Sequence, residues 1–351
     1  MIQNAGNDRS STLKLNSALA INSPGRKTHT NEILAAGARL SKEYSPIKVV
    51  GQGAFGIVYA ARDSANEFVA IKKVMLDPRY KNRELEILNL IKIHPNCVSL
   101  KAHFLTAGRR HGDACLNLVM DYLPMSLHMF NVKFRKDRKY PPLFYVKLFG
   151  FQIFAGLNHL HSHGIMHRDI KPNNIIIDMD SGELKICDFG SAKKAKKEEK
   201  NISYVASRYF RAPELILDCS FYSTEVDIWA AGCTIAEILM ASQPLFEGNT
   251  SMGQFYEIVK IMGKPTNEDL ASFQHQTVPE IPDLEFTPLE TVLPRHTPRD
   301  LLDLFLTIFK YNPQKRPTAN QCMGHPFFDD IFDPEITMPD GSPLPPLSRT
   351  E

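Results

Sequence analysis

Two short segments in the middle of the chain combine carboxylates, an amide and a lysine at close spacing. The first, HRDIKPNN, begins at His167, and the second, DFG, begins at Asp188. Phosphoryl transfer needs a carboxylate that orients the attacking hydroxyl group, and oxygen ligands for a metal ion that neutralises phosphate charge. Asp169 suits the first task, whereas Asn174 and Asp188 suit the second as ligands of Mg²⁺. Lys171 would add a cation near the transferred group.

A glycine-rich segment, GQGAFGIV, runs from Gly51 to Val58. Glycines let backbone N–H groups approach phosphate oxygens because no Cβ intervenes. The pattern alone is ambiguous, since G-x-G-x-x-G also opens dinucleotide-binding folds, in which a helix follows. Here residues 57–62 are followed by a turn and a second β-type run, which favours a hairpin that covers phosphates.

Lys72 ends the apolar run FVAIK, and a lysine on a buried strand is costly unless it is paired. Glu84, in the helical stretch that follows, is the natural partner, and their ion pair would aim the ammonium group at nucleotide phosphates. The alternative is a strand-end lysine that reaches water, a role for which Lys73 is the better candidate.

The elements that must position these residues change in character along the chain. β-type runs dominate as far as Tyr122, with one helical stretch over residues 83–91. The predicted strands include residues 47–50, 57–59, 68–72 and 116–120, and the predicted helices after Pro141 cover residues 145–163, 226–241, 253–262 and 299–310. The sequence therefore predicts an α+β protein, with a small sheet-rich lobe followed by a larger helical lobe.

Charge and composition argue against several functional classes. Among the 351 residues, 41 Lys and Arg face 39 Asp and Glu, so the net charge is only +2. A protein that coats nucleic acid, or a polybasic membrane binder, would carry a large excess of one charge. We therefore expect neither nucleic acid nor a membrane as a partner. The six cysteines are scattered without a C-x-x-C pair, which favours a reducing compartment. We expect a cytoplasmic location, with the nucleus as an alternative.

Both ends of the chain differ in composition from its middle. Residues 1–43 are rich in Asn, Ser, Thr, Ala and Gly without an apolar period, and we expect a flexible tail. Residues 329–351 form a proline-rich C-terminal tail, which we expect to be extended and poorly packed from Pro334 onward.

The motifs, in this order and followed by Ala212-Pro-Glu214, resemble those of the eukaryotic protein kinases. The resemblance covers residues 44–328 and implies the bilobal protein kinase fold. Its small antiparallel-sheet N-lobe, with one main helix, would span about 44–121, and its larger, mainly helical C-lobe about 125–328. It also implies ATP and Mg²⁺ as cofactors and proteins as substrates, and Lys171 is typical of the serine/threonine class.

The same resemblance assigns the nucleotide-binding residues. Met120 would be the gatekeeper, and Asp121 and Leu123 would lie in the hinge. The resemblance assigns the following residues to ATP: Gly51, Gln52, Gly53, Ala54, Phe55, Gly56, Val58, Ala70, Lys72, Met120, Asp121, Leu123 and Ile176.

Two further matches imply structural roles. Asp227 and Arg316 occupy positions that hold the scaffold in this family, and Arg316 is expected to pair with Glu214. A pseudokinase that only binds partners is the first alternative, but it would lack a lysine, aspartate or asparagine that this chain retains. The second alternative is a related kinase whose activity depends on a cyclin-like subunit.

Longer segments narrow the resemblance to the glycogen synthase kinase 3 family: DFGSAK from Asp188 and VASRYFRAPELI from Val205. In that family the equivalents of Arg83, Arg168 and Lys193 bind a phosphate already present on the substrate. We therefore expect a preference for substrates phosphorylated four residues C-terminal to the target Ser or Thr. A lysine-rich surface loop that is merely solvated is the alternative.

Tyr204 matches the family's activation-loop tyrosine, which is autophosphorylated and opens the substrate groove. An aromatic side chain that packs against the loop is the alternative. The sequence also departs from the family, with Asn173 in place of Gln, and with Met252, Phe255 and Tyr256 in the helix that binds scaffold proteins. The resemblance therefore does not imply Axin-like scaffold partners for this chain.

Overall fold

The computed structural model describes residues 35–53, 56–77, 82–108, 113–196, 199–273 and 280–349. Contacts divide the chain into two units. The first comprises Met1–Leu90 and Ser99–Tyr122, and the second comprises Ile91–Val98 and Leu123–Glu351. Residues 91–98 thus belong with the second unit, whereas the sequence predicts them within the N-terminal lobe. Backbone bonds explain this, because Val98 N–H donates to Ile186 O and Ile186 N–H to Asn96 O.

The first unit is built on a five-stranded antiparallel sheet with the strand order β1-β2-β3-β5-β4. Its strands are β1 Ser45–Gly53, β2 Gly56–Arg62, β3 Phe68–Met75, β4 Leu100–Ala107 and β5 Ala114–Asp121, and helix α1 Arg83–Leu90 follows β3. The predicted hairpin is confirmed, since β2 pairs with β3 in antiparallel register. Strand β4 is not predicted by the sequence, because its only β-branched residue is Thr106.

Alternating side chains bury one face of this sheet. Val69 and Ile71 of β3 are buried with Ala61, Phe104 and Val119 in one apolar cluster. The intervening residues of β3 point to the other face, because successive side chains of a strand alternate. That alternation places Ala70 and Lys72 together, which matters for the site below.

The second unit is mainly helical. Its longest helix, α3 Leu143–Ser162, is almost wholly buried and packs against α5 Glu225–Leu239. The other helices are α2 Leu127–Lys136, α4 Pro213–Ile216, α6 Ser251–Met262, α7 Asn267–Ser272, α8 Leu289–Val292, α9 Arg299–Ile308 and α10 Ala319–Met323. The four helices predicted after Pro141 are confirmed as α3, α5, α6 and α9, with ends shifted by no more than a few residues.

Two small sheets complete the second unit. Strands β6 Met125–Ser126, β8 Ile175–Ile177 and β9 Leu184–Ile186 form one, and β7 Ile165–Met166 pairs with β10 Lys193–Lys194 in the other. The α+β prediction is therefore confirmed. No helix in the described ranges combines the length and apolar character needed to cross a membrane.

The chain ends differ from the predicted tails where they are described. Residues 1–34 lie outside the described residues, but 35–40 are helical and Ser41–Glu43 form a 3-10 turn. The C-terminal segment contains no regular helix or strand over residues 333–349. The expectation of poor packing there is wrong for Met338, which is buried and donates its backbone N–H to Ser342 O.

Glu237 of α5 is a carboxyl group buried within the second unit. Burial raises the pKa of the Glu237 carboxyl to about 7. An ordinary glutamate in the unfolded chain ionises near pH 4.5. The folded protein therefore carries a costly buried carboxylate above about pH 7, and this destabilisation grows as the pH rises from about 4.5 to 7.

We expect Glu237→Gln to stabilise the protein at pH 8, by up to about 3 kcal/mol, because the glutamine side chain cannot ionise. The gain should shrink progressively as the pH falls toward 5. Thermal unfolding of both proteins between pH 5 and pH 8 measures it, with Glu335→Gln, an exposed site, as the control. A stability difference that is constant over this range would contradict the raised pKa.

Candidate active site

The register of the first sheet gathers most of the predicted nucleotide-binding residues of this unit. Gly51 pairs with Val58, and Val58 pairs with Lys72, so the three lie in one row across β1, β2 and β3. Ala70 pairs with Met120 on β5. Strand pairing thus brings together residues that are far apart in the sequence, as Ala70 and Met120 are.

The turn between β1 and β2 requires a glycine at Gly56. Its φ of +136° lies in a region that residues with a side chain rarely adopt, and a Cβ there would approach Lys73 O at 2.2 Å. Gln52 and Gly53 are exposed on β1, whereas Ala54 and Phe55 lie outside the described residues. Gly56 therefore has a structural reason to be glycine in addition to any contact with phosphate.

Lys72 and Glu84 form the predicted ion pair. The Lys72 ammonium lies 2.8 Å from Oε1 and 2.7 Å from Oε2 of Glu84, and both side chains are buried. Glu84 lies in the first turn of α1, whose start is capped by Asn82, since its side-chain oxygen accepts from Leu85 N–H. The alternative of a solvated strand-end lysine is wrong for Lys72.

The side chain of Asp121 is already engaged within the first unit. Its Oδ2 accepts from both the N–H and the hydroxyl of Ser99, and its Oδ1 lies 3.5 Å from the Lys101 ammonium. The carboxylate therefore anchors the start of β4. Leu123 and Ile176, the remaining predicted nucleotide contacts, belong to the second unit, where Leu123 is buried and Ile176 pairs with Ser126 and Lys185.

A dense hydrogen-bond cluster surrounds Asp169 in the second unit. Its Oδ2 accepts from the Lys171 ammonium at 2.8 Å and from the Asn174 amide at 2.9 Å. Its Oδ1 accepts from both the N–H and the hydroxyl of Ser207, at 3.1 and 3.0 Å. Lys171 also donates to the Ser207 hydroxyl at 2.8 Å. The carboxylate is therefore fixed in orientation while remaining partly exposed.

Ser207 is a functional candidate that the sequence does not predict. Three serines lie between Asp188 and Glu214, and nothing in the pattern distinguishes this one. Only the tertiary structure brings it against the carboxylate of a residue 38 positions earlier.

Asp227 of α5 holds the backbone that leads into Asp169. Its two carboxylate oxygens accept from the N–H groups of His167 and Arg168, and one also contacts His161 Nε2 at 3.0 Å. Burial alone would raise the pKa of Asp227, but the bonds from His161 and the Arg168 N–H outweigh it and hold the pKa below its usual value. Arg168 itself is kept at φ +67°, an unfavourable conformation for a residue with a side chain.

The backbone joins Asn174 to the residue that precedes Asp188. Cys187 N–H donates to Asn174 O at 2.9 Å, so the two residues predicted to bind Mg²⁺ lie in neighbouring backbone segments. The Asn174 amide nitrogen is used by Asp169, and this orients its oxygen as the atom for a cation. Oxygen donors of this kind suit Mg²⁺. No cluster of three or more His, Cys, Asp or Glu able to hold a metal occurs in the part of the chain that the structure describes.

Arg168 and Lys193 are placed near one another by the small β7–β10 sheet, because Lys193 pairs with Met166, two residues before Arg168. Arg168 donates to Ser191 O at 2.7 Å and to the Tyr222 hydroxyl at 3.2 Å. Lys193 donates to Asn201 Oδ1 at 2.7 Å. Arg83, the third residue predicted to bind phosphate, is exposed at the start of α1 in the first unit.

Tyr204 is 73% exposed, so packing against the loop does not bury it. The guanidinium of Arg211 lies 4.5 Å from the centre of its ring, within cation–π range. Arg211 is buried and donates to Ala206 O at 2.9 Å. A buried cation thus stands beside an accessible tyrosine.

The predicted pair of Glu214 and Arg316 is confirmed as a buried, two-pronged ion pair, with N···O distances of 2.6 and 2.7 Å. Arg316 also donates to the carbonyl oxygens of Lys310, Tyr311 and Glu225. Each hydrogen bond of the guanidinium is therefore directed at a specific acceptor. Because Glu214 follows Tyr204 by ten positions, the ion pair anchors this part of the chain to the helical core.

Comparison with known proteins identifies the family of the chain. Residues 44–328 match the family described as protein kinase domain. The chain is 45% identical over 321 residues to glycogen synthase kinase 3 of Trypanosoma brucei brucei, covering 89% of this chain and 91% of that protein. It is 41% identical over 314 residues to glycogen synthase kinase 1 of Pyricularia oryzae, covering 87% and 79% respectively. The chain therefore belongs to the protein kinase family, as a serine/threonine kinase resembling glycogen synthase kinase 3.

Proposed function

We propose that this kinase transfers the γ-phosphoryl group of MgATP to a Ser or Thr residue of a protein substrate. The preferred substrate already carries a phosphate four residues C-terminal to that Ser or Thr. Asp169 orients the acceptor hydroxyl, and Arg83, Arg168 and Lys193 read the priming phosphate. The observation that carries the chemical part of this proposal is the hydrogen-bond cluster around Asp169.

The cluster prepares Asp169 for its role before substrate arrives. Ser207 fixes one carboxylate oxygen, while Lys171 and Asn174 fix the other. A group held in this way needs little reorganisation as charge develops, which is the main source of catalytic electrostatics. Lys171 is positioned to follow the negative charge on the transferred group while it keeps its bond to Ser207.

Lys72, paired with Glu84, presents a fixed ammonium group to the nucleotide phosphates. A buried ammonium without a partner would be strongly disfavoured, so Glu84 maintains its charge. When bound, MgATP supplies the phosphoryl group and the divalent charge, and Asn174 and Asp188 are the residues that would hold the metal.

Removal of the Ser207 hydroxyl tests the role of the cluster. We expect Ser207→Ala to lower kcat by about tenfold to a hundredfold, since a hydrogen bond to a charged group contributes about 1.5–3 kcal/mol. KM for ATP should change little. Ser207→Thr, which retains the hydroxyl, should recover most of the activity.

Asp169→Asn is the reference for loss of the chemical step in the same phosphate-transfer assay. Activity that survives this substitution would contradict the role of Asp169. Full activity of Ser207→Ala would show that the cluster does not orient it.

The priming preference is supported by two fixed cations in the second unit. The Tyr222 hydroxyl accepts from Arg168 and donates to Ile202 O, next to Asn201, which holds Lys193. The two side chains are thus braced through the same short segment. A dianionic phosphate is the ligand that best matches such converging donors.

Paired peptides test this preference. We expect Arg83→Ala and Lys193→Ala each to lower kcat/KM about tenfold or more on a Ser-x-x-x-phosphoserine peptide, because a charge-assisted bond is lost. Turnover on the unphosphorylated peptide should fall much less. Lys194→Ala removes the same charge one residue away on β10 and is the matched control. Equal losses on both peptides, or no loss, would refute the phosphate-reading role.

Activation through Tyr204 is supported by its exposure and by the buried Arg211 beside it. Phosphorylation would add about two negative charges next to this guanidinium and order the loop. We expect protein made in bacteria to carry phosphate on Tyr204 by mass spectrometry in the wild type but not in Asp169→Asn, and Tyr204→Phe to be several-fold less active. Tyr209→Phe is the control. Phosphate on Tyr204 in Asp169→Asn would contradict autophosphorylation.

A further inference from the structure

One acidic side chain approaches Lys193, one of the three cations that are proposed to read the priming phosphate. Oε2 of Glu199 lies 3.3 Å from the Lys193 ammonium. The Glu199 side chain as a whole is 38% exposed, yet this oxygen is shielded from solvent. One oxygen of the carboxylate thus faces the lysine, while the rest of the side chain stays partly exposed.

The backbone around Glu199 fixes this placement. Asn201 is buried, its N–H donates to Ser220 O, and its side-chain amide donates to the carbonyl oxygens of Glu199 and Tyr222. The same Asn201 side chain accepts from Lys193. One amide therefore holds both members of the ion pair, and Glu199 is not merely a solvated residue of a charged loop.

We propose that Glu199 is an internal anion that neutralises Lys193 when no priming phosphate is bound, and that it thereby sets how strictly a substrate must be primed. This inference rests on the proposed phosphate-reading role of Lys193. An incoming phosphate must share or displace the carboxylate, because two negative groups around one ammonium repel each other. With an unprimed substrate, Glu199 supplies the charge that the phosphate would otherwise bring.

Two opposite effects of one substitution follow. Glu199→Gln removes the competing charge and should tighten a primed peptide. It also leaves Lys193 without its anion when the substrate is unprimed, which should loosen the segment and lower turnover. A general change in net charge would instead move both substrates in the same direction.

The test measures binding and turnover with two fluorescein-labelled peptides, one carrying phosphoserine four residues after the target serine and one unphosphorylated. For Glu199→Gln we expect Kd and KM of the phosphopeptide to fall about three- to fivefold, the scale of a partly exposed ion pair, and turnover of the unphosphorylated peptide to fall as well. Glu335→Gln, with the same charge change at an exposed site, is the matched control. The gain in phosphopeptide binding should diminish at high salt.

The outcomes separate this inference from the function on which it rests. If Lys193→Ala weakens the phosphopeptide selectively while Glu199→Gln leaves its Kd unchanged or raises it, the internal-anion role is overturned and priming stands. If Lys193→Ala has no selective effect, the phosphate-reading role itself fails. Equal improvement of both peptides in Glu199→Gln would also overturn the inference.

Discussion

The carboxylate of Asp227 is the constraint on which the rest of the site depends. It is fully buried on α5 and accepts the backbone N–H groups of His167 and Arg168, so the segment that leads into Asp169 is attached to the helical core. Arg168 adopts a left-handed backbone conformation that the local sequence would not choose. The two N–H bonds hold it there, and Asp169 follows at once in the chain. Strain at this point is the means by which a loop residue acquires a defined position.

Two buried ion pairs likewise fix the positions of side chains elsewhere in the molecule. Pairing two charges away from water contributes little net stability, because desolvation offsets the Coulomb attraction. Removing one partner is much more costly, so each pair fixes a geometry. Lys72 with Glu84 fixes an ammonium group on the first sheet, and Glu214 with Arg316 fixes the residues after Tyr204. Both pairs join residues that would otherwise be expected at the surface.

Arg168 and Lys193, near the β7–β10 sheet, differ from these pairs, because no fully buried carboxylate among the described residues is paired with the side chain of either of them. Among the described residues, Arg168 donates to the neutral acceptors Ser191 O and Tyr222 hydroxyl, and Lys193 lies beside the partly exposed carboxylate of Glu199. Structural pairs exclude water and have no reason to exchange. The proposed phosphate-reading site instead needs a partner that a substrate can displace. The near-zero net charge of the chain is therefore compatible with one strongly cationic site.

The sequence by itself determined the class of chemistry, the α+β architecture, and the Lys72–Glu84 and Glu214–Arg316 pairs, because these rest on short motifs with fixed residue types. Hydrophobic periodicity located the long helices for the same local reason. The tertiary structure alone decided that β4 is a strand, that residues 91–98 belong with the second unit, and that Met338 is buried. It also decided that Ser207 holds Asp169 and that Glu199 faces Lys193. Each of these depends on contacts between residues far apart, or on which of several similar side chains the backbone turns inward, and local pattern carries no information about either.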